Sequence, residues 1–522
     1  MLKQKTPWHD MRPFGGSLMR RPRKKLVAAS LLLLALLFYP HANFQSSASA
    51  RADQVRPDSV VFLTLLHFND VYEVRPVCGG KLGGLARVAT LRGQLAARNP
   101  NTLTFFGGDL YWPSAIGTAV VDGTPIDGEH MVAVMNTVGI NGMVFGDHEF
   151  HVSSEDEFRQ RLSESQFPII SANIFESNGD PFPGVSENLT YVATNQAGDQ
   201  MRIGVFGVTE DLHRTVVPHQ RIDTIEATKR QVFLLREKVD ILIALTHQPL
   251  ADDIELAKRF PEIDLILGGD DHENMAVSAG QGLATIYKAD SNVRSVYVLD
   301  VWYDTASDEF EVEPRLLPIT DEIADDPETQ VVVDHWMKVG FDALRNQGIE
   351  PDRVIAYAPA DLDGFADSVR NHPTELTNLI AEAMLNAAQD SEIAFMLSGL
   401  IRLDDLIPKG SAVTEYDVLR MMPMGEPQIV SVEVPGYILK QMLDDGRECV
   451  GSGCFPFTAH VKESTDGVDW LIGAEPLNLD RTYRVAMTDR FFNRELVESD
   501  ARLIQRHISV RDAIALQLVT VR

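Results

Sequence analysis

The chain has 522 residues, 44% of them apolar and 23% charged, a folded soluble composition on a length that calls for two or three domains rather than one core. The formal charge of −28 understates the acidity of the body, because residues 1–50 carry eight Lys/Arg and one Asp, leaving 39 basic against 74 acidic residues beyond them. So negative a surface excludes nucleic acid and extended anionic membrane as general partners, and a phosphorylated substrate would need local positive charge from metals or placed arginines.

The basic excess ends in "RRPRKK" and is followed by "LVAASLLLLALLFYP" (Leu26–Pro40) and by small residues closing at Ala48-Ser49-Ala50. A charged start, an apolar run and an A-x-A site predict a secretory signal peptide over 1–50, hence export to a periplasm or the outside. The run is short of the roughly 20 residues a spanning helix needs, and an uncleaved anchor at the outer face is the alternative. Three cysteines do not make a disulfide scaffold; Cys449 and Cys454 in "CVGSGC" can close a small loop, with Cys78 left over.

From Val60 to about Tyr303, apolar runs alternate with amphipathic stretches. "VVFLTLLHF", "TLTFFGGD", "INGMVFGD", "FPIISANI", "RIGVFGV", "ILIALTH" and "IDLILGGD" read as strands buried on both faces, and "GLARVATLRGQLAARN" and "SEDEFRQRLSESQ" as helices between them. That rhythm predicts a layered α/β domain over about 55–320. The acidic, helically periodic segment 321–349 reads as a connecting helix, and strands and helices resume over 350–522 as a second α/β domain.

In such sheets functional residues gather on loops at the carboxyl ends of strands. Here "HFNDVYEV" offers Asp70 and Tyr72, and "FFGGDLYWPS" offers Asp109. "VFGDHEFH" offers Asp147, His148, Glu149 and His151, "ALTHQP" offers His247, and "GGDDHE" offers Asp270, Asp271 and His272. Any one of them alone reads as a cap or a turn residue. Five loops that each begin where an apolar strand stops can together surround two metal ions about 4 Å apart, which need six to eight O or N ligands from separate loops.

The order D-x-[HY], GGD, G-[ND]-H-E-F, T-H and G-G-x-x-H, with "GGLARVATLR", "SANI" and "GVTED" between, resembles the calcineurin-like metallophosphoesterases, and more narrowly the 5'-nucleotidase and 2',3'-cyclic phosphodiesterase family. The likeness runs on through "LTNLIAEAM", "GLIR", "LRMMPMGEP" and "VPGYILKQML". It implies a layered α/β/β/α metallophosphoesterase domain followed by a smaller α/β 5'-nucleotidase-type C-terminal domain. By position it also implies two divalent ions, one among Asp70, Tyr72, Asp109 and His272, the other among Asp109, Asp147, His247 and Asp270, with Asp109 bridging. His148 matches the family's catalytic histidine, which steadies phosphoryl oxygens or protonates a leaving group.

Several positions depart from the family. Tyr72 and Asp270 stand where it has histidines, Asp147 where it has asparagine, and His151 where an aspartate orients the catalytic histidine. The set becomes four Asp, two His and one Tyr, two negative charges richer, and its oxygen donors favour Mn, Mg or Fe over Zn. Tyr72 ligates only as phenolate and otherwise lines the site.

In the second domain Arg402 matches a substrate-contacting arginine. Nucleotide members sandwich a base between two rings; here Met424 takes one ring's place, and Phe491 or Phe492 can supply one side only. The expected substrate is a small phosphomonoester, not strictly a nucleotide, a choice the "FNDVYE" start favours through its likeness to sugar-phosphoglycerate phosphatases. The alternatives are a nucleotidase or cyclic nucleotide phosphodiesterase, and a catalytically silent metal-stabilised binding protein.

Overall fold

In the strand Val60–Phe68, Val61, Leu63 and Leu65 enter one buried cluster while Leu66 and Phe68 enter another. A strand covered on both faces has no polar side to present, and its two polar residues, Thr64 and His67, are buried with partners in Asp300 and the Gly268 carbonyl. In this computed structural model, which describes residues 57–520 apart from 213, 214, 465, 466 and 468, that strand is the fifth of a seven-stranded sheet. The sheet order is Val185–Ser186, Ile169–Ile170, Gly142–Val144, Thr102–Phe106, Val60–Phe68, Ser295–Asp304 and Glu309–Pro318. The first five run parallel and the last two antiparallel.

A second sheet of six strands places Gln200–Thr209, Ile241–His247, Leu265–Gly269 and Thr285–Lys288 in parallel at its centre. The two sheets face each other across one core, to which Val61, Leu63, Phe105 and Val144 contribute from one side and Ile203, Val205, Ile243 and Leu265 from the other. Helices Leu85–Arg98, Glu129–Val138 and Glu155–Glu164 cover the outer face of the first sheet. Helices Thr224–Leu235 and Leu250–Arg259 cover the second. The result is the expected α/β/β/α sandwich.

The segment expected to connect the domains forms the helix Pro327–Asn346, started by an Asp326 cap that accepts from the Thr329 amide and by Pro327 in its first turn. Its apolar side, through Val333, Met337, Ala343 and Leu344, packs into the same cluster as the first domain's helices. Beyond it, a five-stranded sheet runs Pro456–Ala459, Ile393–Leu397, Thr482–Thr488, Gln428–Pro435, Arg502–Ser509. Helices Glu375–Ala387 and Val510–Thr520 pack on one face and Gly436–Arg447 on the other. Cys449 and Cys454 are joined as a disulfide, and Cys78 is buried and unpaired.

The predicted signal segment lies outside the described residues. Among the described residues no helix is long and apolar enough to cross a membrane.

Candidate metal centre

Five strands deliver their carboxyl ends to one place. Val60–Phe68 runs into Asn69-Asp70, Thr102–Phe106 into Gly107-Gly108-Asp109, and Gly142–Val144 into Asp147 and the short turn His148–His151. Ile241–His247 ends on His247 itself, and Leu265–Gly269 runs into Asp270. The loops touch closely: a Cβ on Gly146 would lie 2.0 Å from Asp109 Oδ1, and one on Gly108 would lie 2.6 Å from the Gly146 nitrogen. Only glycine allows that approach. Asp70, Asp109, Asp270 and His272 all have left-handed backbone, with φ of 53°, 65°, 84° and 63°.

Asp70, Asp109 and His247, all buried, offer donor atoms within 4.8 Å of one another. His247 Nδ1 lies 2.7 Å from the Gly107 carbonyl oxygen. A carbonyl only accepts, so Nδ1 carries a proton and Nε2 is the atom offered to the cluster. Nε2 is buried without a hydrogen-bond partner, 3.4 Å from Asp109 Oδ1 and 3.8 Å from Asp147 Oδ1. An orphaned imidazole nitrogen among carboxylates is what a cation fits. Burial alone would lower the His247 pKa, yet Asp109, Asp70, Asp270 and Asp147 hold it well above its usual value. Burial likewise lifts Asp109 far above the carboxylate range. The field that draws protons into this cluster draws metal ions equally.

On the other side of Asp109, the Tyr72 hydroxyl sits 2.8 Å from Asp109 Oδ2, 3.2 Å from Asp70 Oδ1 and 3.0 Å from His272 Nε2. One phenolic proton cannot satisfy three acceptors. Burial, with Asp109 and Asp70 adding to it, raises the Tyr72 pKa well above 10, which keeps the phenol protonated. His272 turns its other nitrogen, Nδ1, to Asp404 Oδ2 at 2.9 Å, a carboxylate of the second domain. Asp270 joins the group through its amide, which donates to Asp70 Oδ2 at 3.0 Å; its carboxyl is half-buried, and desolvation moves its pKa up to about 6.

His148 Nε2 lies 3.9 Å from Asp109 Oδ2 and 3.4 Å from Arg402 Nη1, and its Nδ1 lies 2.7 Å from His151 Nδ1. Asp147 stays ionised: burial opposes this, but His148, His247, His151 and Arg402 hold its pKa at about 2. Arg402 shares a pocket with Tyr72, Pro113, His272, Arg370 and Asp404. Its buried Nε has no partner, and burial followed by the nearby Arg370 charge lowers its pKa. Two guanidinium groups lining one pocket suit an anion. Met424 and Phe491 do not line this pocket; Phe491 packs on Phe395 with ring centroids 5.1 Å apart.

Several residues support the site, and of these the sequence offers Glu149 and Asp271 but not Asn292, Lys288, Arg370 or Asp404. Glu149 collects the amides of Asp109, Leu110, Tyr111 and Gly146, pinning two loops with one buried carboxylate. The Asn292 side chain accepts from the Tyr72 amide at 2.9 Å and donates to the Asp404 carbonyl at 3.1 Å. Lys288, fully buried, donates to the Gln248 carbonyl at 2.6 Å and pairs with Asp253 and Asp271, tying the His247 loop to the Asp270 loop. Arg370 and Asp404 lie in a region where sequence offered only Arg402. Asn292, Lys288, Arg370 and Asp404 carry no motif, because each acts through partners distant along the chain.

The family model for calcineurin-like phosphoesterase matches residues 63–274, and that for the 5'-nucleotidase C-terminal domain matches residues 354–494. The trifunctional nucleotide phosphoesterase protein YfkN of Bacillus subtilis is 28% identical over 82% of this chain, which spans about a third (32%) of that protein's length. A 5'-nucleotidase of Vibrio cholerae is 27% identical over 88% of this chain and 89% of its own. Among solved structures, a 5'-nucleotidase precursor from Thermus thermophilus superposes with a TM-score of 0.71 at 23% identity, covering 88% of this chain and 96% of that one. The sulfate thiohydrolase SoxB of Thermus thermophilus superposes with 0.68 at 16% identity, covering 88% and 94%, so this fold alone does not fix the bond that is cleaved. With two domain families matched in order on a single polypeptide, the chain joins a calcineurin-like phosphoesterase domain to a 5'-nucleotidase C-terminal domain.

Proposed function

We propose that the protein is an exported hydrolase of small phosphomonoesters that works with two divalent ions, Mn, Mg or Fe in preference to Zn. Asp70, Asp109 and His272 would hold one ion, with Tyr72 lining rather than ligating it, and Asp109, Asp147, His247 and Asp270 the other. When bound, such ions supply positive charge to the phosphoryl group and an acidified water. The observation that carries this reading is the buried, unpartnered Nε2 of His247, set beside Asp109 and Asp147.

The chain's own groups do the rest. Arg402 Nη1 and His148 Nε2, 3.4 Å apart, can both reach one oxygen of a bound phosphate. Arg370 adds a second cation to the same pocket, a local positive charge on an otherwise acidic body. Burial pushes the His148 pKa well below its usual value, and the ring stands where it can orient the phosphate by hydrogen bonding.

A base sandwich finds little support: Met424 offers no ring, and Phe491 is engaged by Phe395. The names of the relatives favour the second reading, a nucleotidase. Metal-loaded protein assayed against p-nitrophenyl phosphate, AMP and a panel of sugar and glycerate phosphates separates the readings. A small phosphoester with kcat/KM at least tenfold above that of AMP is expected, and Asp109→Ala should abolish turnover. AMP as the preferred substrate would establish the nucleotidase, and no turnover with any divalent ion would leave the silent binding protein.

A further inference from the structure

Asp147, His148 and His151 lie on one turn beside the metal cluster and offer a second set of donors within 4.8 Å of one another. Asp147 precedes the turn, and His151 follows it four residues later, so helical geometry brings the two to the same side. The donor atoms are Asp147 Oδ2, His148 Nδ1 and His151 Nδ1. Their separations are 2.7 Å between the nitrogens and 3.9 Å from each nitrogen to the oxygen. The point equidistant from all three lies about 2.1 Å from each, which is the bond length of a first-row transition ion to imidazole or carboxylate.

We propose that these residues form a third metal site, distinct from the pair, taking a borderline divalent ion such as Zn²⁺, Co²⁺ or Ni²⁺. Two imidazoles and one carboxylate suit such ions, whereas the oxygen-rich pair suits harder ones. The carboxylate is shared without conflict, because Asp147 Oδ1 faces His247 Nε2 at 3.8 Å while Oδ2 faces the two histidines. Trp112 braces both rings, with centroids 5.2 Å from His148 and 5.8 Å from His151. Asp147 and His151 are each about one-fifth exposed, which leaves an entry path from solvent.

Coordination through Nδ1 leaves the His148 proton on Nε2, the nitrogen that faces Arg402 and Asp109. His148 then becomes a fixed donor toward the pocket instead of an acceptor for Arg402. The proposal also accounts for two departures together: Asp147 in place of an asparagine and His151 in place of an aspartate are the substitutions that complete the triangle. A histidine oriented by a carboxylate elsewhere in the family is here oriented by a cation.

The test is metal stoichiometry. Chelator-stripped wild type and His151→Gln are reloaded with Zn²⁺ or Co²⁺, desalted and analysed for metal. Wild type is expected to retain one ion per chain more than the variant, and equal retention overturns the proposal. Crystals of wild type soaked in Zn²⁺ decide it even where the variant fails to fold. An anomalous peak about 2.1 Å from all three donors supports the site, and no peak there overturns it. The readout is independent of turnover: an inactive protein that holds this ion keeps the site and loses the phosphatase reading, and an active protein without it does the reverse.

Discussion

His272 of the first domain places its Nδ1 2.9 Å from Asp404 Oδ2 of the second, while its Nε2 faces the Tyr72 hydroxyl at 3.0 Å. One imidazole therefore joins the candidate metal cluster to the domain that carries the arginine pocket. Asp404 is fixed in turn, its Oδ1 accepting from the Ala366 amide and its carbonyl from Asn292.

Asp404→Asn keeps the shape of that contact and removes its charge. Partners that orient a metal-binding histidine typically contribute about 10–100-fold in affinity or activity. Titration of Mn²⁺ by calorimetry should show one ion bound about tenfold more weakly, with the fold intact by circular dichroism. Unchanged affinity for both ions would reduce the contact to a domain tether.

The domains also meet at Arg420, which pairs with Glu73 at 3.2 Å and Asp405 at 2.8 Å, while Tyr416 donates to Glu73 at 3.1 Å. Arg420→Met strands these carboxylates, and breaking such a buried pair costs about 3–5 kcal/mol. Burial would raise the Glu73 pKa, but Arg75 and Arg420 hold it below its ordinary value. A depressed carboxylate stabilises the fold above its unfolded pKa of about 4.3, and that stabilisation disappears as pH falls through the lower folded value. Melting temperatures measured between pH 2.5 and 6 should therefore fall steeply below about pH 4.3 in wild type and less steeply in Glu73→Gln. Coincident curves would assign the acid sensitivity to other groups.

Lys288 has no exposed surface and faces Asp253 and Asp271. Lys288→Met should lower stability by about 3–5 kcal/mol by leaving Asp253 buried and unpaired. Adding Asp253→Asn to that variant should recover part of the loss, a coupling readable from denaturant midpoints. Additive effects would mean that the pair contributes no more than its packing.

Metal analysis of His151→Gln, in which only the carboxylate-rich pair remains, should find Mn, Mg or Fe in excess of Zn after growth in mixed metals. Stoichiometric Zn in that variant would overturn the ligand argument. Stripping the ions should lower the melting temperature, since ions at a thousandfold over Kd stabilise by about 4 kcal/mol. A melting curve indifferent to chelator would deny the cluster its cations.

The layered fold was legible because strands such as Val60–Phe68 and Ile241–His247 are mostly apolar on both faces and run into a polar residue, Asn69-Asp70 after the first and His247 at the end of the second. The same rule brings Asp70, Asp109 and His247 to one place, and the spacing of Cys449 and Cys454 allows the short loop they close. The periodicity of Pro327–Asn346 marked a helix but not its home, since burial of Val333 and Met337 against the first domain depends on what lies opposite. Asp404, Arg370 and Lys288 were invisible for the same reason. A charge paired across the fold, like Asp404 with His272, leaves no local trace, whereas a ligand at a strand end does.

The left-handed backbone at Asp70, Asp109, Asp270 and His272 narrows what natural variation can do there. Outside glycine, that conformation is occupied chiefly by asparagine, aspartate and histidine, and β-branched side chains are nearly barred from it. Those three residues are also common donors to divalent cations. Drift at these corners is thus steered from one coordinating side chain to another, so at these four positions sterics alone favours residues able to hold a cation.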